Sequence, residues 1–213
     1  MQDILDVLVM TEKLKTTLRH SWTNDPKRQE SVAEHSWMIC LLAMLLKDKI
    51  SIQIDLPKVL KMLVIHDLAE AITGDIPLGQ QTGNFDRAAK VAAEREAIHK
   101  MFAPLDEATR TELLALWEEE AARETIDAKF AKAVDFIEAC VQHWISDQET
   151  WDNQDYAVGI YQKDEPFEID PFLKEFKKLI DEKTIQKIIA AGRIGRVAPE
   201  KLARYQATCS PTL

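Results

Sequence analysis

The chain has 213 residues, a formal net charge of −9, 46% hydrophobic and 30% charged residues, the profile of one soluble globular domain that can bury a real core. The acidity argues against coating DNA or RNA. With only 6 glycines and no G-x-x-x-x-G-K-[ST] or G-x-G-x-x-G, nucleotide binding through glycine-rich phosphate loops is excluded and an all-β fold is disfavoured.

In chain order the periodicity is helical nearly throughout. Ile4, Leu5, Val7, Leu8, Leu14 and Leu18 form a stripe at near-helical spacing and predict a first helix reaching about residue 18. Residues 24–30, with Pro26, read as a loop. Ser31-Val-Ala-Glu34 is a capping box before a hydrophobic run and predicts a second helix from 31 to about 49. Asp55-Leu-Pro57 starts a third helix, with proline in its first turn, which ends at Thr73-Gly74 on a left-handed glycine cap. Residues 74–84 form the most turn-rich segment. Further helices are expected at about 85–102, 106–123, 126–145, 147–162 and 170–182. Residues 184–213, with one more short helix, read as a docked or frayed extension to a domain spanning 1–183. No strand pattern stands out, so the expected fold is all-α, a single-domain helical bundle.

The longest apolar run, 37–46, is too short to span a bilayer, and the N-terminus lacks the basic region of a signal peptide. Cys40, Cys140 and Cys209 are far apart, and the first two sit in apolar runs as reduced thiols. A cytoplasmic protein without membrane or nucleic-acid polymer partners is expected.

The third helix carries the chemistry. VLKMLVIHDLAEAI (59–72) is apolar on nearly every side, yet holds His66, Asp67 and Glu70. Unpaired buried carboxylates cost several kcal/mol by an order-of-magnitude reading, so three such groups need a shared explanation. A bound divalent cation is one; a satisfied core His–Asp pair with a surface Glu is the other. Two more helices repeat the anomaly: the second has His35 just before its apolar run, and that at 126–145 is apolar around Lys132, Asp135 and Glu138. Bundle cores build metal sites from inward side chains of separate helices. His35, His66, Asp67 and Asp135, without a thiolate, suit Mn, Co, Fe, Ni or Mg rather than a structural cysteine–zinc site. His20, His99 and His143 have polar or mixed neighbours and read as ordinary histidines.

The order His35 … His66-Asp67 … Asp135 resembles the HD-domain metal phosphohydrolases. HDLAEAITGDIP (66–77), ESVAEH (30–35), ELLALWEEE (112–120) and AKFAKAVDFIEA (128–139) are similar in order to blocks of the small HD-domain 5′-deoxynucleotidases. Other branches fit less well: Glu70 is followed by Ala71 rather than Asp, and no GYP element occurs. The resemblance covers roughly residues 10–145 and implies an HD-type bundle that hydrolyses deoxyribonucleoside 5′-monophosphates to nucleoside and phosphate, as a homodimer. It implies His35, His66, Asp67 and Asp135 as ligands of a divalent ion (Mn, Co, Mg, Fe, Ni or Zn). Glu70 and Asp75 become acid–base groups, either in either role. Arg19 becomes the phosphate-holding cation and Trp22 an aromatic beside the sugar. Lys132 is either a further phosphate ligand or the ion-pair partner of Asp135. An HD-type enzyme for another phosphorylated metabolite is an alternative; a non-catalytic module with a structural ion is a third, against which Glu70 and Asp75 stand as carboxylates beyond ligand need.

Overall fold

The structure, a computed structural model, describes residues 1–77, 80, 81, 83–158, 160 and 164–209. Residues 78, 79 and 82 within the expected loop, 159 and 161–163 around the end of the helix expected to reach 162, and 210–213 at the end of the C-terminal extension fall outside them. The helices are α1 (Gln2–Thr11), α2 (Val32–Leu46), α3 (Leu56–Ile65), α4 (Glu70–Thr73), α5 (Arg87–Phe102), α6 (Glu107–Ala122), α7 (Ile126–Ile145), α8 (Asn153–Val158), α9 (Pro171–Ala190) and α10 (Pro199–Cys209). The all-α expectation holds, with a small antiparallel ribbon of β1 (Leu18–Trp22) and β2 (Gln29–Ser31) added.

The capping box forms as expected: Ser31 Oγ accepts from the Glu34 amide, and the Glu34 carboxylate accepts from the Ser31 amide. It sets the rotation of α2, so Val32, His35, Ile39, Ala43 and Leu46 face inward. The α2, α3 and α7 helices pack on one another as the centre of the bundle, around Ile39, Val59, Leu63, Phe130, Val134 and Ile137. A second cluster, with Met62, Ile98, Met101, Phe102 and Trp117, seats α5 and α6. Burying side chains of this size contributes roughly 1.5–3 kcal/mol each.

Three local expectations are corrected. The first helix stops at Thr11, followed by a 3-10 turn over Glu12–Lys15, and the expected helix end near residue 18 is instead the start of β1. Leu18 pairs with Ser31, and Trp22 with Gln29 in the stretch expected to be loop. The β-branched Thr16 and Thr17 disfavour helix, and the ribbon satisfies backbone groups that a frayed helix end would leave open. The third helix is not continuous: after Ile65 the chain tightens into i→i+3 bonds, Leu68 to Ile65, Glu70 to Asp67 and Ala71 to Leu68, before α4. Gly74 then takes φ +77° as expected of a glycine end, but with an extended ψ of 159°. The third correction lies downstream. Of the helix expected over 147–162, the described residues form α8 at Asn153–Val158, after a short 3-10 turn, and α9 runs unbroken through residue 184.

Candidate active site

Each candidate ligand stands at a structurally determined point. His35 sits in the first turn of α2 behind its cap, His66 caps the C-terminus of α3, Asp67 follows in the tight turn, and Asp135 lies midway along α7. The two imidazole centroids are 5.6 Å apart. His35 is fully buried; its Nδ1 hydrogen-bonds Glu138 Oε2 at 2.6 Å, and its Nε2 lies 3.2 Å from Asp135 Oδ1 and 3.9 Å from Asp67 Oδ2. His66 Nδ1 meets the Leu63 carbonyl at 2.8 Å, and its Nε2 lies 3.0 Å from Asp67 Oδ2. Carbonyl and carboxylate oxygens only accept, so in the neutral rings each Nδ1 carries the proton and each Nε2 offers a lone pair inward.

A divalent ion fits this donor set. One donor atom each from His35, His66 and Asp135 lies within 4.8 Å of the others. Both Nε2 atoms are buried without a hydrogen-bond partner despite the nearby carboxylates. Donors about 2.1 Å from a common ion stand about 3 Å apart, close without a hydrogen-bonding alignment between them.

The tight turn after α3 changes which side chains share a face. At three residues per turn, positions i and i+3 eclipse, so Asp67 and Glu70 come together where the unbroken helix expected from sequence would have paired His66 with Glu70. Asp67, Glu70, Asp75 and Asp135 line one open cleft of about 210 Å³ with Arg19, Lys90 and Lys132. Burial, with the Asp67 and Asp75 carboxylates, pushes Glu70 up to about 9. Burial also raises Asp75, with Asp67 adding to it. Against the cost of burial, the Asp67 carboxylate lifts His66 to about 9; in turn His66 and Arg19 hold Asp67 below the usual carboxylate range although it is buried. This accumulation of negative charge is what a cation neutralises.

Arg19 lies on β1, not at a helix end. Its Nε is 3.4 Å from Glu30 Oε2 and its Nη1 3.4 Å from Asp67 Oδ2. Carboxylates around the guanidinium outweigh burial and hold it charged. Lys132 Nζ is 2.5 Å from Asp135 Oδ2, so it is the ion-pair partner of Asp135 as well as a lining residue. Trp22 does not line the cleft. On a helix it would share a face with Arg19; on the ribbon the pairing register shifts between Leu18 and Trp22, so helical spacing no longer relates the two. Its carbonyl accepts from Gln142 at 2.6 Å. His20 meets Asp155 at 3.2 Å and Asp152 at 3.8 Å. His143 stacks on Trp151 with centroids 3.9 Å apart.

Sequence reasoning missed Lys90, Glu30 and the job of Glu138. Lys90 pairs with Glu94 and faces the cleft from α5, a polar helix where one more lysine carries no signal. Glu30 and Glu138 are buried behind the ligands. Glu138 was legible as a carboxylate one turn after Asp135 in an apolar helix; Glu30 lay in a stretch read as loop.

The fold and cleft define a class: a helical bundle that gathers histidine and aspartate donors for one ion beside acid–base carboxylates and an arginine. A family model described as HD domain matches residues 11–177, and the chain belongs to the HD-domain family, whose metal-dependent phosphohydrolases imply a divalent ion. Over 142 residues it is 31% identical to the 5′-deoxynucleotidase HDDC2 of Homo sapiens, covering 66% of this chain and 67% of that protein. It is 30% identical over 141 residues to the 5′-deoxynucleotidase hdd1 of Schizosaccharomyces pombe, covering 65% and 70%. The solved structure of a predicted metal-dependent phosphohydrolase from Magnetospirillum magnetotacticum superposes with a TM-score of 0.70 at 29% identity, covering 93% of this chain and 98% of that one. Among the described residues no helix is long and apolar enough to cross a membrane.

Proposed function

We propose that this chain is a metal-dependent 5′-deoxynucleotidase that hydrolyses deoxyribonucleoside 5′-monophosphates to deoxyribonucleoside and phosphate. The observation that carries the reading is one cleft lined by Asp67, Asp135, Glu70, Asp75 and Arg19, with the buried His35 and His66 Nε2 atoms reaching its wall at Asp135 and Asp67; the relatives' names supply the substrate class.

His35, His66, Asp67 and Asp135 hold the ion, one of Mn, Co, Mg, Fe, Ni or Zn. When bound, it supplies Lewis-acid charge to the phosphoryl group and acidifies water. The protein's own groups do the rest. Arg19, held between the Glu30 carboxylate facing its Nε and Asp67 accepting from its Nη1, brings its guanidinium to the phosphate and offsets charge that grows during transfer. Glu70 and Asp75 divide the proton work: one takes a proton from the attacking water as the P–O bond to it forms. The other gives a proton to the 5′ oxygen as the P–O5′ bond breaks. Trp22 does not line the cleft, so its assignment to sugar selection rests on the resemblance to the 5′-deoxynucleotidases and on its place beside Arg19 on the ribbon.

The enzyme is assigned to the cytoplasm as a homodimer, with the exposed Trp37, Met44 and Leu45 of α2 and Ile4, Leu5 and Leu8 of α1 as the apolar surface for a second copy. Residues 1–183 are assigned as the catalytic unit and 184–213, which begin within α9 and continue it to Ala190, as an extension docked on it.

The test is phosphate release from nucleotides and sugar phosphates by metal-stripped protein, repeated with each ion. Release from dAMP in preference to AMP, abolished by chelator, is expected. Equal kcat/KM for the two nucleotides, or preference for a sugar phosphate, overturns the deoxynucleotidase assignment; activity unaffected by chelator overturns the metal.

A further inference from the structure

Behind the ligands, two carboxylates are buried where no reacting group can reach them. Glu138 is 1% exposed and Glu30 3%, and one oxygen of each lies within 4.8 Å of the other and of a His35 nitrogen. A buried carboxylate costs several kcal/mol, and apolar side chains of similar volume fill such space at less cost. Only partial compensation is present: Glu138 Oε1 and Glu30 Oε2 have no hydrogen-bond partner. Each carboxylate instead faces one working residue: Glu138 Oε2 stands 2.6 Å from His35 Nδ1 and Glu30 Oε2 3.4 Å from Arg19 Nε.

We infer that Glu138 and Glu30 are positioning residues: Glu138 fixes the tautomer and rotation of the metal ligand His35, and Glu30 aims Arg19 at the phosphate. The two side chains form one acidic wall from which the ligand and the phosphate clamp are both set. Glu138 follows Asp135 by one turn, so α7 delivers a ligand and the support of a second ligand from one face. His66 needs no such residue, because the Leu63 carbonyl orients it at 2.8 Å. Of the two imidazole orienters, Glu138 is therefore the one a side-chain change removes. The inference rests on the metal-site half of the proposed function and not on the substrate.

The experiment is a competition titration of Co²⁺ against a chelator, using the metal-stripped full chain with its fold checked by circular dichroism. Glu138→Ala should weaken Co²⁺ binding by about 10–100-fold, the range for losing an orienting partner of a metal-bound histidine. Glu138→Gln should weaken it less, because its amide oxygen still accepts from Nδ1–H without the charge. Glu30→Gln should leave Co²⁺ affinity within about threefold but weaken direct binding of inorganic phosphate, read by calorimetry at saturating metal; Glu138→Gln should leave phosphate binding unchanged there. Co²⁺ affinity within about twofold of wild type in Glu138→Ala overturns the role of Glu138, and if that variant does not fold, the same result in Glu138→Gln does so. Unchanged phosphate binding in Glu30→Gln, or metal loss as large as in Glu138→Gln, overturns the role of Glu30. None of these readouts uses a nucleotide, so a failure of the deoxynucleotide assignment leaves them standing.

Discussion

At the scale of single residues, position in the cleft separates ligation from chemistry. Asp67→Ala and Asp135→Ala remove donors that face the imidazole Nε2 atoms, so bound metal per chain and phosphatase activity should both fall to background. Glu70→Ala and Asp75→Ala should keep the metal while kcat drops by ~10²-fold or more, the usual loss for an acid–base group; loss of metal in either would make that residue a ligand. Trp22→Ala should lower the dAMP-to-AMP ratio of kcat/KM, and an unchanged ratio removes Trp22 from sugar recognition.

His143 makes a pH prediction away from the metal. Its side chain is 12% exposed, and burial lowers its pKa from 6.5 to about 4, with Lys187 and His20 adding to the shift and Asp155 and Asp152 opposing it. The unfolded chain takes up this proton as pH falls below 6.5 while the folded chain does not until about 4, so stability is lost across that window. Its size is roughly 3 kcal/mol at most. His143→Phe, which keeps a ring on Trp151, should flatten the fall in Tm between pH 6.5 and 4; an unchanged slope refutes the assignment.

At the scale of elements, cap chemistry was plain in the sequence and backbone irregularity was not. Ser31→Ala removes the acceptor for the Glu34 amide and should cost about 1 kcal/mol of stability, read by denaturant unfolding. Arg123 ends α6 in the left-handed region at φ 56°, ψ 33°, where an arginine pays backbone strain that glycine does not. Arg123→Gly should be neutral or stabilising by up to ~1 kcal/mol; a clear loss would mean that its guanidinium, on the cleft wall, contributes more than the strain costs. The tight turn between α3 and α4 had no sequence signal, because apolar periodicity runs straight through HDLAEAI. The ribbon was hidden for a similar reason: a five-residue strand pairing with three residues is too short for alternation to stand out.

For the whole molecule, the proposed ligands come from α2, the end of α3 and α7, so an ion held by them would cross-link the central helices. Metal at a hundredfold excess over its Kd should add about 2.7 kcal/mol of stability by mass action, and chelation should lower Tm accordingly. The C-terminal region has its own apolar contacts: Trp151, Tyr156, Ile185, Ile188 and Val197 cluster with Leu202 and Tyr205 of α10. Truncation after residue 183 uncovers Trp151 and Tyr156 and should lower Tm, whereas an unaltered Tm would mark the tail as dispensable. If a second copy covers the α1–α2 surface, light scattering should give twice the chain mass, and Leu45→Glu should give the monomer.

The sequence by itself determined the helical class, the capped start of α2 and the polar groups that interrupt apolar helices, because periodicity, capping and desolvation are local or compositional costs. His35, His66, Asp67 and Asp135 could be singled out on that basis. Only the tertiary structure decided that Arg19 stands on a strand and Trp22 off the cleft wall, that Asp67 rather than His66 shares a face with Glu70, and that Lys90 faces the cleft from α5. It also brought Glu30 to Glu138 across more than a hundred residues. These outcomes depend on strand pairing, a tightened turn and the packing of distant helices, whose energies arise between segments, where no local pattern of residues records them.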